Sequence, residues 1–305
     1  MSTANANANA NANANANANA NAGLSLAGLT ASSIRCNTHK IGKEAFVADS
    51  ENYIVPKRPR SGYAPYTARW DAEHKAWIYV NEYVKHNPRW LAQLEPAAKK
   101  VWSKWKNRDA LNEAVKDMID FAGEREDRFA EIIDQHDGEG AINYWLGMLD
   151  IDPARHPNTF LLIRVARKIG EMAVMTFKHH FNAARPSQLC PAIVPMLDHP
   201  RTPSYPSGHA LQAYLISCAL ARALPNVPQS TRPVAWLPAN THKGLFALSR
   251  RIADNRKIAG LHFDKDNEAG FVLAKIIDDR LDLLPTDSEY KKLLSAVANE
   301  LPQYR

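Results

Sequence analysis

Three clusters in the C-terminal half of this 305-residue chain carry side chains that can do chemistry together. Lys178 is followed, after six residues, by Arg185-Pro186; then comes Pro206-Ser207-Gly208-His209; then Arg256, five residues, His262 and, four further on, Asp266. Lys178, Arg185 and Arg256 bring three positive charges, and the two guanidinium groups are planar donors suited to tetrahedral oxyanions. Ser207 adds a hydroxyl. Gly208 stands where a helix entering Leu211 should begin, so free backbone N–H groups point outward there and the missing Cβ lets the backbone approach a ligand. Asp266, one turn beyond His262, can accept the Nδ1 hydrogen and leave Nε2 as a nucleophile or ligand. His209 has no acidic neighbour in the sequence and suits a proton donor and acceptor on the opposite side of the same ion. Taken singly, a Lys or Arg at a helix end faces water and a His after Gly caps a turn. The ordered set is what points to in-line chemistry at a tetrahedral centre.

The elements that must position these groups read as helices. Phe160, Ile163, Ala166, Ile169, Ala173 and Phe177 recur at steps of three and four, which predicts a long amphipathic helix over Asn158–His180 with Lys178 near its end. A Gly- and Pro-punctuated loop, 182–208, follows. Further helices are predicted from Leu211 on, over Thr241–Lys257 and over Asn267–Leu283. Earlier, the text turns helical from Ala68, and Pro88 should end or kink that helix. Leu94–Trp105, Leu111–Ile133 and Ala141–Leu149 read as further helices, with Trp102 and Trp105 on one face and the tryptophans generally in a helical core. The segment His136–Gly140 reads as a turn or a pocket mouth. Strand alternation is nearly absent, so the fold class expected is all-α, a helical bundle.

Composition sets the outer bounds. Apolar residues make 45% and charged residues 23% of the chain, with a net charge of +6 (38 Lys and Arg against 32 Asp and Glu), which suits a folded protein. No apolar run is long enough for a membrane span. Residues 4–22 alternate Ala and Asn, and 1–50 read as a disordered tail. Four prolines make 51–67 an extended arm, ahead of N-terminal helices over 68–149 and a core over 158–285, all within one domain, 51–305. No basic segment precedes the Leu24–Leu29 patch as a secretory signal requires, so the expected location is cytoplasmic. Cys36, Cys190 and Cys218 are odd in number and far apart, which suits reduced thiols, with Cys218 in the core. The Lys57-Arg58-Pro59-Arg60 run lacks the company of a nucleic-acid site, so no nucleic-acid partner is expected.

Over about 175–282 the chain resembles the type 2 phosphatidic acid phosphatase and vanadium-dependent haloperoxidase superfamily, whose pattern is K-x6-RP, PSGH and SR-x5-H-x3-D. The resemblance implies that Lys178, Arg185 and Arg256 bind the equatorial oxygens of phosphate or vanadate, with Ser207 and Gly208 adding hydrogen bonds. It implies that His262 attacks phosphorus or ligates vanadium axially, that His209 is the acid–base partner, and that Asp266 orients His262. The implied fold is a helical bundle of that type, and the implied assembly a homodimer or larger homo-oligomer. Asn255 stands where the pattern has Ser, and is read as lying behind the ion. Ala184 stands where the phosphatase form often has Arg. Ser249-Arg250 is a decoy, since His262 lies too far beyond it.

The motifs serve two activities, because vanadate mimics phosphate. The stretches Pro203–Ala210 and Ala259–Phe263 resemble the haloperoxidase-like branch, which implies vanadate as cofactor and hydrogen peroxide and halide as substrates, with Lys178 polarising the bound peroxide. The alternative is a phosphatase acting on a small phosphate ester through a phosphohistidine, with no cofactor. A non-catalytic oxyanion-binding module is the third reading.

Overall fold

Residues 208–223 are apolar around most of the helical circumference, and such a helix must be enclosed by others. The computed structural model describes residues 70–105, 107–224 and 241–304, and all their regular structure is helical. In chain order the helices are α1 (Ala72–His86), α2 (Trp90–Trp102), α3 (Arg108–Phe121), α4 (Arg125–Asp134), α5 (Gly138–Met148), α6 (Pro157–Phe181), α7 (Pro186–Leu189), α8 (Gly208–Ala223), α9 (Thr241–Ile258), α10 (Asp264–Asp282) and α11 (Glu289–Glu300). The chain divides into two units, Met1–Asp71 and Ala72–Arg305; the helices form the second. The tail read over 1–50 and the arm read over 51–67 lie outside the described residues. Among those residues no helix is long and apolar enough to cross a membrane.

Helix α8 is the centre. It packs against α6, α9 and α10, while α1 and α11 cover α6, α2 covers α10, and α3 and α4 lie on α9. The approach of α10 is close: a Cβ on Gly270 would lie 2.8 Å from the Cβ of Ala210 and 3.0 Å from the Ser207 carbonyl, so no side chain fits beside the start of α8. Charges tie the bundle's rim. Arg164 and Arg167 of α6 reach Glu139 of α5 at 2.6 and 2.7 Å, and Lys168 pairs with Glu73 of α1.

Several boundaries differ from the sequence reading. The helix expected over Leu111–Ile133 is two, α3 and α4, parted by a 3-10 turn at Ala122–Glu124 where Gly123 weakens the helix. Trp102 ends α2 and Trp105 belongs to a separate 3-10 turn, Ser103–Trp105, so the two lie in different elements. Helix α5 starts within the expected loop, because Asp137 caps it: its Oδ1 accepts from the Gly140 N–H at 2.7 Å. Trp145 is enclosed, with Nε1 donating to Ser217 Oγ at 3.3 Å, but Trp77 is 50% exposed, with the Lys168 ammonium 5.4 Å from its ring centre. Helix α11 was not expected. Glu82 of α1 accepts from the Glu289 and Tyr290 N–H groups that open α11, at 2.7 and 2.9 Å. Glu300, ending α11, accepts from the Asn158 and Thr159 N–H groups that open α6, at 2.9 and 2.8 Å. Long-range caps of this kind satisfy the orphan donors of both helices and favour a negative charge at each N-terminus.

Candidate functional site

Helix ends set the spacing of the three clusters. Helix α6 stops at Phe181, with Asn182 in the left-handed region (φ 44°) and its N–H on the Lys178 carbonyl. Asn tolerates that conformation, and the reversed chain returns Arg185 past the last turn that carries Lys178. Helix α9 ends on Gly260 (φ 81°), with Leu261 N–H on the Arg256 carbonyl at 3.0 Å and Gly260 N–H on that of Lys257 at 2.9 Å. This glycine C-cap folds the chain back, so that His262 follows Arg256 by one compact turn. Ser207 caps α8, its Oγ accepting from Ala210 N–H at 3.4 Å, and its own N–H donates to the Asp266 carbonyl at 3.0 Å.

His262 is the best-defined group. Its Nδ1 lies 3.2 Å from Asp266 Oδ2 and its Nε2 3.0 Å from Arg185 Nη1. Arginine can only donate, so Nε2 carries the lone pair and Nδ1 the hydrogen. Asp266 Oδ2 also accepts from Ser204 Oγ at 2.6 Å and from Phe263 N–H at 3.1 Å. Burial, then Arg185, Lys178 and Arg256, push the His262 imidazole well below its usual range, so the ring is neutral near pH 7. Burial pushes Asp266 upward against the pull of Ser204, Phe263 N–H, Lys178 and Arg185.

The three cations are buried with His262 and Asp266. Lys178 donates to the carbonyls of Pro203 and Ser204, the second at 3.1 Å. Arg185 donates to Thr202 O through Nε (3.1 Å) and Nη2 (2.8 Å), and to Leu261 O through Nη1 (2.9 Å). Arg256 donates through Nη2 to the Ile132 carbonyl at 2.8 Å, while its Nε and Nη1 are buried without a hydrogen-bond partner. Burial, opposed by Asp266, lowers Arg185 to about 10, and burial lowers Arg256 to about 10. Burial first and Arg185 second push Lys178 well below its ordinary 10.5.

His209 meets the chain's first half. Its Nε2 donates to the Gln135 carbonyl at 2.9 Å, just past the end of α4, and the Ile132 carbonyl that holds Arg256 belongs to α4 itself. The carbonyl end of a helix carries partial negative charge, which suits both donors. His209 also lies in the wall of a narrow crevice lined by Gly138, Ile142, Trp145, Ile216 and Ile252.

The expected residues gather in two sets: Lys178, Arg185, Ser207, His262 and Asp266 around the 202–207 loop, and Arg256 and His209 on the end of α4. Gly208 opens α8 between Ser207 and His209. Sequence reasoning missed Ser204, although it stands within Pro203–Ala210, and it missed Gln135 and the carbonyls of Ile132, Thr202 and Leu261. A backbone carbonyl leaves no mark in the side-chain text. Tyr205 shows a similar gap: its hydroxyl donates to the Ala98 carbonyl at 2.6 Å, bracing the loop against α2. Cys218 is buried as expected, its thiol pushed up to about 12 by burial.

A depressed ammonium gives the site a pH signature. An anion entering beside Lys178 restores its proton, so binding takes up hydrogen ion above the depressed value. Affinity for sulfate, whose own charge stays fixed, should fall with rising pH across that window towards 10.5, by up to about tenfold per pH unit. Calorimetry in buffers of different ionisation heat would show the uptake; an affinity that rises or stays flat would contradict it.

No family model matches this chain, and no curated protein matches it. Among the described residues no group of three or more His, Cys, Asp or Glu side chains is arranged to hold a metal cation. An oxyanion makes a different demand, for positive charge and hydrogen-bond donors.

Proposed function

We propose that the chain binds a tetrahedral oxyanion between Lys178, Arg185, Ser207, Arg256 and His262, and that it works as a vanadium-dependent haloperoxidase of the superfamily it resembles. The observation that carries the reading is the buried Arg256 guanidinium with Nε and Nη1 unpartnered, in a site where three buried cations have one buried carboxylate, Asp266, among them. Buried donors without acceptors are costly unless a ligand supplies them, and the donor set present fits vanadate. Vanadate, when bound, supplies the activation by which hydrogen peroxide oxidises halide: halide, peroxide and one proton give hypohalous acid and water.

The chain's own residues do the rest. Lys178, Arg185 and Arg256 neutralise the oxygens, and Ser207 with the start of α8 adds donors. His262, neutral and anchored by Asp266, would hold the vanadate through its Nε2 lone pair, the one that Arg185 Nη1 faces at 3.0 Å. His209, beside Arg256, holds and moves the proton that the halide reaction consumes. Resemblance in the Pro203–Ala210 and Ala259–Phe263 stretches favours this branch and carries a homodimer or larger homo-oligomer with it.

The second reading, a phosphatase, draws on the same His262 lone pair. Nε2 would attack phosphorus, the leaving oxygen would take a proton that His209 had first picked up at Nδ1, and water would then release phosphate from the histidine. Assays of purified protein with and without vanadate separate the two, using bromination of a phenol dye and hydrolysis of p-nitrophenyl phosphate. The expected result is bromination that requires vanadate and peroxide. Rapid phosphate release by vanadate-free protein, inhibited when vanadate is added, would overturn the haloperoxidase reading and favour the second.

A further inference from the structure

We infer that Asn255 is a positioning residue for His209, acting through Gln135 to hold the ring as its Nε2–H tautomer and leave Nδ1 as the atom that takes the proton. The inference deepens the proposed function and rests on His209 moving a proton in that site.

The contacts form one chain. The Gln135 carbonyl can only accept, so the nitrogen 2.9 Å from it, His209 Nε2, must carry the hydrogen. Gln135 follows α4 with non-helical angles (φ −84°, ψ 6°), at the place where a helix leaves carbonyls without internal donors. The side chain of the residue that bears this carbonyl is held by Asn255. Its Nδ2 donates to Gln135 Oε1 at 2.8 Å and to Glu131 Oε2 at 3.0 Å, and its Oδ1 accepts from Arg128 Nη1 at 3.3 Å. The Gln135 N–H closes the ring on the Glu131 carbonyl at 2.9 Å. Asn255 and Gln135 are both fully buried, so water does not substitute for the bond between them. An amide has two hydrogens for two acceptors; the serine of the family pattern has one. Asn255 is also next in sequence to Arg256, whose guanidinium sits on the same helix, so one residue aligns the cation and the imidazole together.

The test is the 15N NMR spectrum of histidine-labelled, ligand-free protein, with His209 assigned by its loss in His209→Asn. The expected wild-type pattern is an Nε2 shift of the N–H type and an Nδ1 shift of the bare type. Asn255→Asp keeps the shape but cannot donate; Gln135→Met keeps the backbone carbonyl but has no Oε1. Both should move the His209 pair towards the averaged values of mixed tautomers, while the His262 pair stays put. Should Asn255→Asp fail to fold, Gln135→Met carries the test. A wild-type ring protonated on Nδ1, or His209 shifts unmoved in the folded variants, would overturn the inference. Neither ligand nor turnover enters this measurement, so its failure is distinct from a failure of vanadate binding, which would strike the proposed function instead.

Discussion

His262→Ala should reduce turnover by about 10^4-fold or more, the scale on which removing a nucleophile or its equivalent acts, while the protein stays folded and still binds oxyanion weakly. The separation follows from the contacts. Asp266 keeps its bonds to Ser204 and to the Phe263 N–H, and Arg185 keeps Thr202 and Leu261 as acceptors, so the cationic wall survives without the ring. Asp266→Asn is the milder control. It leaves Nε2 in place but removes the negative charge from the acceptor for Nδ1, and a supporting partner of this kind is worth roughly 10- to 100-fold. Steady-state rates for both, beside a thermal melt, check the order. Full turnover in the alanine protein would remove His262 from the chemistry.

Arg256→Met should do two opposite things. In the ligand-free protein the guanidinium is fully buried, with one hydrogen bond and two nitrogens lacking partners. Replacing such a charge with an apolar side chain of similar volume is often neutral or stabilising by about 1–4 kcal/mol, and the orphaned Ile132 carbonyl offsets part of that. The melting temperature of ligand-free protein should therefore hold or rise. With oxyanion present, truncating a buried charged partner costs about 2–5 kcal/mol, roughly 30- to 4,000-fold in affinity. A site kept for function shows this exchange; a structural arginine shows the reverse. Arg222 is that comparison, since it is paired with Asp278 at 2.6 and 2.8 Å. Arg222→Met should lower the melting temperature and leave oxyanion affinity unchanged. Melts and titrations of the two variants side by side check the pair of signs.

The sequence carried the helices where local chemistry sets them. Six apolar positions at steps of three and four marked α6. It also placed Lys178 near the end of α6 and Gly208 at the start of α8, where the structure has them. It did not carry α11, whose N-terminus relies on Glu82 as well as on its own Ser288 cap, or the break at Gly123, which a helical period runs across. Nor did it show what the first half of the chain contributes: Ala98 of α2 holds Tyr205, Ile132 of α4 holds Arg256, and Gln135 just past α4 holds His209, all through backbone carbonyls. Contacts to carbonyls depend on topology, and topology is what spacing along one chain leaves out.

The measurement closest to the central claim is a titration of orthovanadate into wild-type protein and Arg256→Met, followed by 51V NMR and calorimetry. The expected result is saturable binding of one ion per chain, displaced by phosphate and weakened at least about 30-fold by the substitution. Absence of saturable binding in the wild type, or equal affinity in the two proteins, would contradict a pocket assembled around that ion.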